Sequence, residues 1–197
     1  MRLTSLTGLA VSLALVAFSA SAWAGEGAPP KDTLKVNYFS NANTAGAPDG
    51  TVQIDNPGTS GGNLCAYINV FDVHQEMSEC CACLVTPDGL RTLSVNTDLT
   101  SNPETGKILS DGIIKIVSTQ TVGGGCPLPN AAGTFPTLAA GVRAWGTHIQ
   151  NTNFTLTETT YQDATLSNSE LYNLGAECYA VQLVGSGAGI CSCGTGD

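Results

Sequence analysis

Five side chains able to bind soft metals lie within ten positions of the chain: His74, Met77, Cys80, Cys81 and Cys83. Copper(I) and zinc accept imidazole, thioether and thiolate ligands, so this cluster is a candidate metal or redox site. The alternative is that the sulfurs are oxidised in pairs, which removes them as ligands. The remaining cysteines of the chain favour this alternative.

The chain contains eight cysteines, an even number that is typical of a disulfide framework in an oxidising compartment. Four bridges allow 105 pairings, and the sequence does not choose among them. The spacings Cys81-x-Cys83 and Cys191-x-Cys193 each place two sulfurs on one side of an extended chain, so the two pairs can form parallel bridges that tie the C-terminal tail to the cluster. Four cysteines then remain, and they are available as the pairs Cys80 with Cys178 and Cys65 with Cys126.

One segment, Gly58-Thr59-Ser60-Gly61-Gly62, matches the G-x-S-x-G motif of hydrolases. A nucleophile elbow joins a strand to a helix, whereas this segment follows an Asn-Pro pair and enters a predicted strand. Both histidines, His74 and His148, come after the serine, which excludes the chymotrypsin order of catalytic residues. We therefore predict no catalytic residue, no enzymatic activity and no cofactor.

Residues 1–24 are predicted to be a secretory signal peptide. Arg2 supplies the positive start, Leu9–Phe18 the apolar stretch, and Ala22-Trp23-Ala24 the cleavage signal. The apolar stretch is too short to span a bilayer comfortably, so no membrane span is expected. Cleavage between Ala24 and Gly25 predicts a protein that is secreted, to the extracellular space, the cell surface or the periplasm.

The charge of the chain also restricts its partners. The net charge is −9, and it becomes −10 when residues 1–24 are removed, because Arg2 is their only charged residue. A chain this acidic repels phosphate backbones, so nucleic acid is not an expected partner.

Strand-forming patterns recur along the chain between turn signals, as they do in sandwiches and barrels. A helical turn is expected at Gln75–Glu79. Leu64–Phe71 has large side chains on both faces, which predicts a central strand. We therefore predict a mainly β fold, an antiparallel β-sandwich or barrel-like domain stapled by disulfides, over residues 51–197. About seven strands are expected in total: Leu34–Phe39, Thr51–Asp55, Leu64–Phe71, Leu90–Asn96, Gly112–Thr119, Val142–Ile149 and Phe154–Tyr161.

One helix is predicted near the C-terminus. Ser167 and Glu170 fit a capping box, with Ser167 at the N-cap. An apolar stripe follows at helical spacing, and Gly185 is the expected C-cap. The stripe consists of Leu171, Leu174, Cys178 and Val181.

Residues 25–50 contain a lead, the strand Leu34–Phe39 and a connector, SNANTAGAPDG, that has no large apolar side chain and is expected to be flexible. The strand either begins its own sandwich or adds to the sheet edge of another molecule. In the second case Leu34, Val36 and Tyr38 would supply the alternate side chains of an assembly strand.

Two functions follow from these features. The first is an exported, non-enzymatic structural or interaction protein of the cell surface or extracellular space, for which self-assembly into a filament is one role. The second is a periplasmic or secreted metal-binding or redox module that uses the cluster from His74 to Cys83. No glycan or protein ligand is identified by the sequence.

Overall fold

The computed structural model describes residues 29–184 and 186–194. The predicted signal peptide, its cleavage site and the proposed C-cap at Gly185 lie outside these residues. The described residues form nine strands, one α-helix and a short π-helix at Val95–Leu99. The strands are β1 (Leu34–Phe39), β2 (Thr51–Asn56), β3 (Leu64–Phe71), β4 (Met77–Val85), β5 (Gly89–Ser94), β6 (Gly112–Gln120), β7 (Arg143–Gln150), β8 (Thr155–Thr160) and β9 (Gln162–Ala164), and the helix is α1 (Asn168–Leu183).

The strands form two antiparallel sheets, which confirms the predicted β-sandwich. Sheet A has the order β4-β3-β6-β1-β9, and sheet B has the order β5-β2-β7-β8. Every residue of β3 is buried, and β3 pairs with β4 on one side and β6 on the other. The central position predicted for Leu64–Phe71 is therefore confirmed.

Two of the nine strands, β4 and β9, were not predicted. The helical turn expected at Gln75–Glu79 is wrong, because Met77 already belongs to β4 and Gln75 has a positive φ of 69°. Asp72 organises the turn instead: its carboxylate accepts hydrogen bonds from the His74 and Glu76 amides, at 2.7 and 3.0 Å. The turn thus reverses the chain from β3 directly into β4.

Sheet A has a core on each of its faces. One face packs on sheet B through residues such as Ile68, Ile116 and Ile54. The other face packs beneath α1 and the long segment between β6 and β7, through Tyr67, Val117 and other side chains. The molecule therefore has three layers, with sheet A in the middle.

The helix forms where the capping pattern predicts it. Ser167 is the N-cap, and its side chain accepts a hydrogen bond from the Glu170 amide at 3.1 Å. Leu174, Cys178 and Val181 are buried against sheet A, which confirms that this part of the stripe faces inward. Among the described residues, no helix has the length and apolarity needed to cross a membrane.

The connector at residues 40–50 lies against the domain and is held by its asparagines. The Asn41 side chain donates a hydrogen bond to the Ile149 carbonyl at 2.8 Å. The Asn43 side chain donates to the Leu109 carbonyl at 2.9 Å. Both residues have positive φ, a conformation that asparagine tolerates better than most residues, so the composition that suggested flexibility here supports a specific loop.

The C-terminal tail covers one side of the sandwich. The Cys80 amide on β4 donates to the Gly189 carbonyl at 2.7 Å, and the Cys191 amide donates back to the Cys80 carbonyl at 3.1 Å. Gly194 approaches β5 so closely that a Cβ there would lie 2.5 Å from the Thr92 carbonyl oxygen. The tail therefore shields the edge strands of both sheets on this side.

The opposite side of the sandwich is open at β8. Sheet A ends there in the three-residue β9, which carries the Lys35–Asp163 ion pair to β1. Sheet B ends in β8, which has six residues, all exposed, and pairs with no strand other than β7 among the described residues. Its sequence, TLTETT, contains one charged residue, Glu158. Within the described residues, β8 is therefore the longest sheet edge without a cover.

Candidate functional site

A cleft of about 910 Å³ lies between the N-terminal half of α1 and one end of sheet A. The end of β1, the β3–β4 turn, the start of β6 and α1 each supply part of its lining. The apolar part of the lining consists of Tyr38, Phe39, Phe71, Val73, Ile113 and Leu174, and the charged part consists of Asp72, Asp111, Lys115, Glu170 and Glu177.

Among the residues that the structure describes, Lys115 is the one basic residue of this lining, and two groups hold it. Its ammonium donates a hydrogen bond to Glu170 Oε1 at 2.6 Å. The same nitrogen lies 5.1 Å from the centre of the Phe71 ring, within the range of a cation–π interaction. The cleft therefore already accommodates one ammonium group, between a carboxylate and an aromatic face.

The other carboxylates in the lining give the cleft an excess of negative charge. Burial alone would raise the pKa of the Asp72 carboxyl, but hydrogen bonds from the Glu76 and His74 amides lower that pKa overall. Burial raises the pKa of Glu177, and the charge of Lys115 opposes the rise. The hydrogen bonds thus favour the charged form of Asp72, and a nearby cation would favour the charged form of Glu177.

Tyr38 lines the cleft, and its side chain is held by two residues of β7. Its ring stacks on the His148 ring, with 4.1 Å between centroids and an interplanar angle of 22°. Its hydroxyl accepts a hydrogen bond from the Gln150 side-chain nitrogen at 2.9 Å. Tyr38 is nevertheless 47% exposed, so part of the ring remains available for contact.

The cysteines of the candidate metal cluster are all in disulfides. The predicted disulfide framework is confirmed, and among the described residues no cysteine is free. Cys80 faces α1, whereas Cys81 and Cys83 face the sandwich core, and the thiolates that a metal site requires are oxidised. The four bridges join Cys65 to Cys126, Cys80 to Cys178, Cys81 to Cys191 and Cys83 to Cys193.

The two other candidate ligands do not join these sulfurs. His74 is exposed in the β3–β4 turn, and Met77 is buried in the layer beneath α1. The sulfurs of Cys81, Cys83 and Cys193 lie within 4.8 Å of one another, but each belongs to a bridge. This closeness therefore reflects two adjacent disulfides.

The assembly-strand candidates lie in β1, which pairs antiparallel with β6 inside its own domain. Leu34 is buried, Val36 packs at the edge of the same core, and Tyr38 reaches the cleft. This arrangement corresponds to the first of the two alternatives for Leu34–Phe39.

Ser60 lies in the exposed loop between β2 and β3, where its hydroxyl donates to the Gly62 carbonyl at 3.1 Å.

The cleft is a feature that sequence reasoning missed. Its charged residues come from segments far apart in the chain, for example Asp72, Lys115 and Glu177, so no local motif connects them. In contrast to the cleft, the exposed threonines of β8 are visible in the sequence as the repeated Thr of TLTETT.

Comparisons with protein-family models, with curated proteins and with solved structures found no match for this chain.

Proposed function

We propose that this protein is an exported structural or interaction protein that associates with itself through β8. Its four disulfides and the absence of a membrane-spanning helix among residues 29–184 and 186–194 fit an extracellular or secreted protein. The apolar stretch and cleavage signal of residues 1–24 support export. The uncovered edge at β8 is the observation that carries the proposal of self-association.

An edge strand has a row of backbone N–H and C=O groups that can pair with another strand, and folded proteins usually protect such edges. Here the tail shields β4 and β5, and β9 is short. Among the described residues, β8 has no such cover, it is six residues long, and it contains no lysine or proline. Its exposed Leu156, at 53%, would also lose water contact on pairing.

A second copy of the chain is the partner that β8 fits best. Two β8 strands related by a two-fold axis would pair antiparallel and extend sheet B into one continuous sheet of eight strands. Threonines would then lie opposite threonines, a favourable cross-strand pair. A contact of this kind closes as a dimer, so a filament would need a second, head-to-tail contact.

Exchange of β1 between copies is the second route to assembly, and it would supply such a head-to-tail contact. It requires β1 to leave β6 and the connector to release the hydrogen bonds of Asn41 and Asn43. Pairing at β8 breaks no contact within the domain. The structure therefore favours β8 as the first contact.

The test is sedimentation analysis of the exported protein and of the variant Thr155→Lys/Thr157→Lys over a series of concentrations. Lysine on an edge strand opposes strand pairing because two copies would bring like charges together. We expect the unmodified protein to dimerise as its concentration rises and the variant to stay monomeric, with an unchanged melting temperature.

The matched control is Thr59→Lys/Thr105→Lys, which adds the same charge at exposed loop positions. This control should dimerise like the unmodified protein. A protein that is monomeric at every concentration contradicts the proposal of self-association. Assembly that survives the lysines in β8 contradicts the assignment to β8 and favours exchange of β1.

A further inference from the structure

We propose that the cleft between α1 and sheet A binds an organic cation, an amino or guanidinium group carried on an apolar chain. This site is separate from β8 and does not depend on self-association. The proposal rests on the charge balance of the cleft, on its apolar surface and on the way in which it already holds an ammonium group.

The charge balance favours a cation. Four carboxylates and one ammonium line the cleft, and that ammonium, Lys115, is already paired with Glu170. The positive charges of His74 and Lys107, which lie outside the lining, stabilise the charged form of Asp72. Asp111 accepts hydrogen bonds from the Ser110 hydroxyl and the Asn41 amide, but neither Asp111 nor Glu177 forms an ion pair among the described residues. These two carboxylates are therefore the principal partners for an incoming cation.

The apolar surface favours a cation that carries a hydrocarbon chain. Phe71 and Leu174 are 8% and 2% exposed and contribute packed apolar surface, whereas Tyr38, Val73 and Ile113 are 47%, 65% and 39% exposed. A small inorganic ion would leave this surface in water. An alkyl chain would cover it and gain the free energy of removing apolar area from water.

The contacts of Lys115 show how the cleft can hold such a group. A carboxylate, Glu170, neutralises the ammonium on one side, and the Phe71 ring approaches it on another. The lining also contains Asp111, Glu177 and Tyr38, which provide further carboxylates and a further aromatic residue for a second cation. Because Tyr38 is fixed by His148 and Gln150, little side-chain ordering is required on binding.

The test is isothermal titration calorimetry of the full protein with three six-carbon probes: 1,6-diaminohexane, 1,6-hexanediol and adipate. We expect the diamine to bind, the diol to bind at least tenfold more weakly, and the dianion not to bind. Excess calcium chloride should weaken the binding of the diamine only as much as sodium chloride of equal ionic strength does.

The variants Asp111→Asn and Glu177→Gln should each weaken diamine binding at least threefold, with an unchanged melting temperature. Glu158→Gln, which removes a carboxylate from β8, should bind the diamine like the unmodified protein. Thr155→Lys/Thr157→Lys should also keep the site, so a failure of self-association is distinguishable from a failure of the cleft.

Four results would overturn the proposal, and the first three concern the probes. The diamine fails to bind, the diol binds as tightly as the diamine, or calcium displaces the diamine at matched ionic strength. Undiminished binding by both Asp111→Asn and Glu177→Gln would also overturn it, because the cation would then lie elsewhere.

Discussion

At the scale of single residues, Glu79 is the most unusual position in the sandwich. It lies on β4 and is 0% exposed. Its Oε1 accepts a hydrogen bond from the Asn102 amide at 2.8 Å, while Oε2 has no hydrogen-bond partner among the described residues. Burial raises the pKa of the Glu79 carboxyl to about 7, although the Asn102 amide opposes the rise. The folded protein therefore favours the protonated acid at this position.

The raised pKa of Glu79 predicts a protein that loses stability as the pH rises. The Glu79 carboxyl makes its full contribution to the free energy of unfolding below its ordinary pKa of 4.5. That contribution is lost as the pH rises from 4.5 to about 7. Since one pKa unit corresponds to about 1.4 kcal/mol, the loss is about 3 kcal/mol. Glu79→Gln imitates the protonated acid and should not show this loss.

The measurement is urea unfolding of both proteins at several pH values. The free energy of unfolding of Glu79→Gln minus that of the unmodified protein should increase by about 3 kcal/mol between pH 4 and pH 8. His148, whose pKa is lowered by burial, has the opposite effect, but it is present in both proteins and cancels in the difference. Glu158→Gln serves as the exposed control. A difference that stays constant with pH would contradict the role of Glu79.

At the scale of elements, the two disulfides of the C-terminal tail form one unit. Cys81–Cys191 and Cys83–Cys193 have the same sequence separation of 110 residues. When one bridge is present, the other closes only a small additional ring. In the chain-entropy account of disulfides, the first bridge to be removed therefore costs less than the second.

The prediction is that the effects of removing the two tail bridges are not additive. Removing one, by Cys81→Ser/Cys191→Ser or by Cys83→Ser/Cys193→Ser, should lower the free energy of unfolding by about 2 kcal/mol. Removing both should lower it by about 5 kcal/mol, because the loop of about 15 residues that the tail closes through the remaining Cys80–Cys178 bridge is then also released. Urea unfolding of the three variants measures the difference, and equal costs for the first and second removal would contradict it.

At the scale of the whole molecule, the disulfides fit an extracellular or secreted protein, and the predicted signal peptide is the proposed means of export. The bridges connect β3 and β4 to the long segment, to α1 and to the tail, so oxidation joins sheet A to the layer of α1 and to the tail. Such bridges form and persist in oxidising compartments.

The corresponding prediction concerns the mature protein. Intact mass spectrometry of secreted material should show a chain that begins at Gly25 and is lighter than the reduced chain by one hydrogen for each cysteine. An alkylating reagent in denaturant should add no mass unless a reductant is present. A chain that retains Met1 contradicts the proposed cleavage, and alkylation without reductant contradicts complete oxidation.

Local chemistry explains the features that the sequence determined by itself. Leu64–Phe71 shows its central position through apolar side chains on both faces, and Ser167 with the stripe through Val181 indicates the helix and its buried face. In Cys81-x-Cys83 the two-residue period of a strand places both sulfurs on one face, so the spacing allowed two parallel bridges to the tail, and the structure contains them.

Only the tertiary structure decided which distant segments meet. Strand order places Asp72, Asp111 and Glu177 around one cleft, and the sandwich leaves β8 uncovered while it buries Glu79. A charged or polar residue has the same local signal whether it is later buried, paired or left in water. Its environment depends on which strands become neighbours, and that is set by packing between residues far apart in the chain.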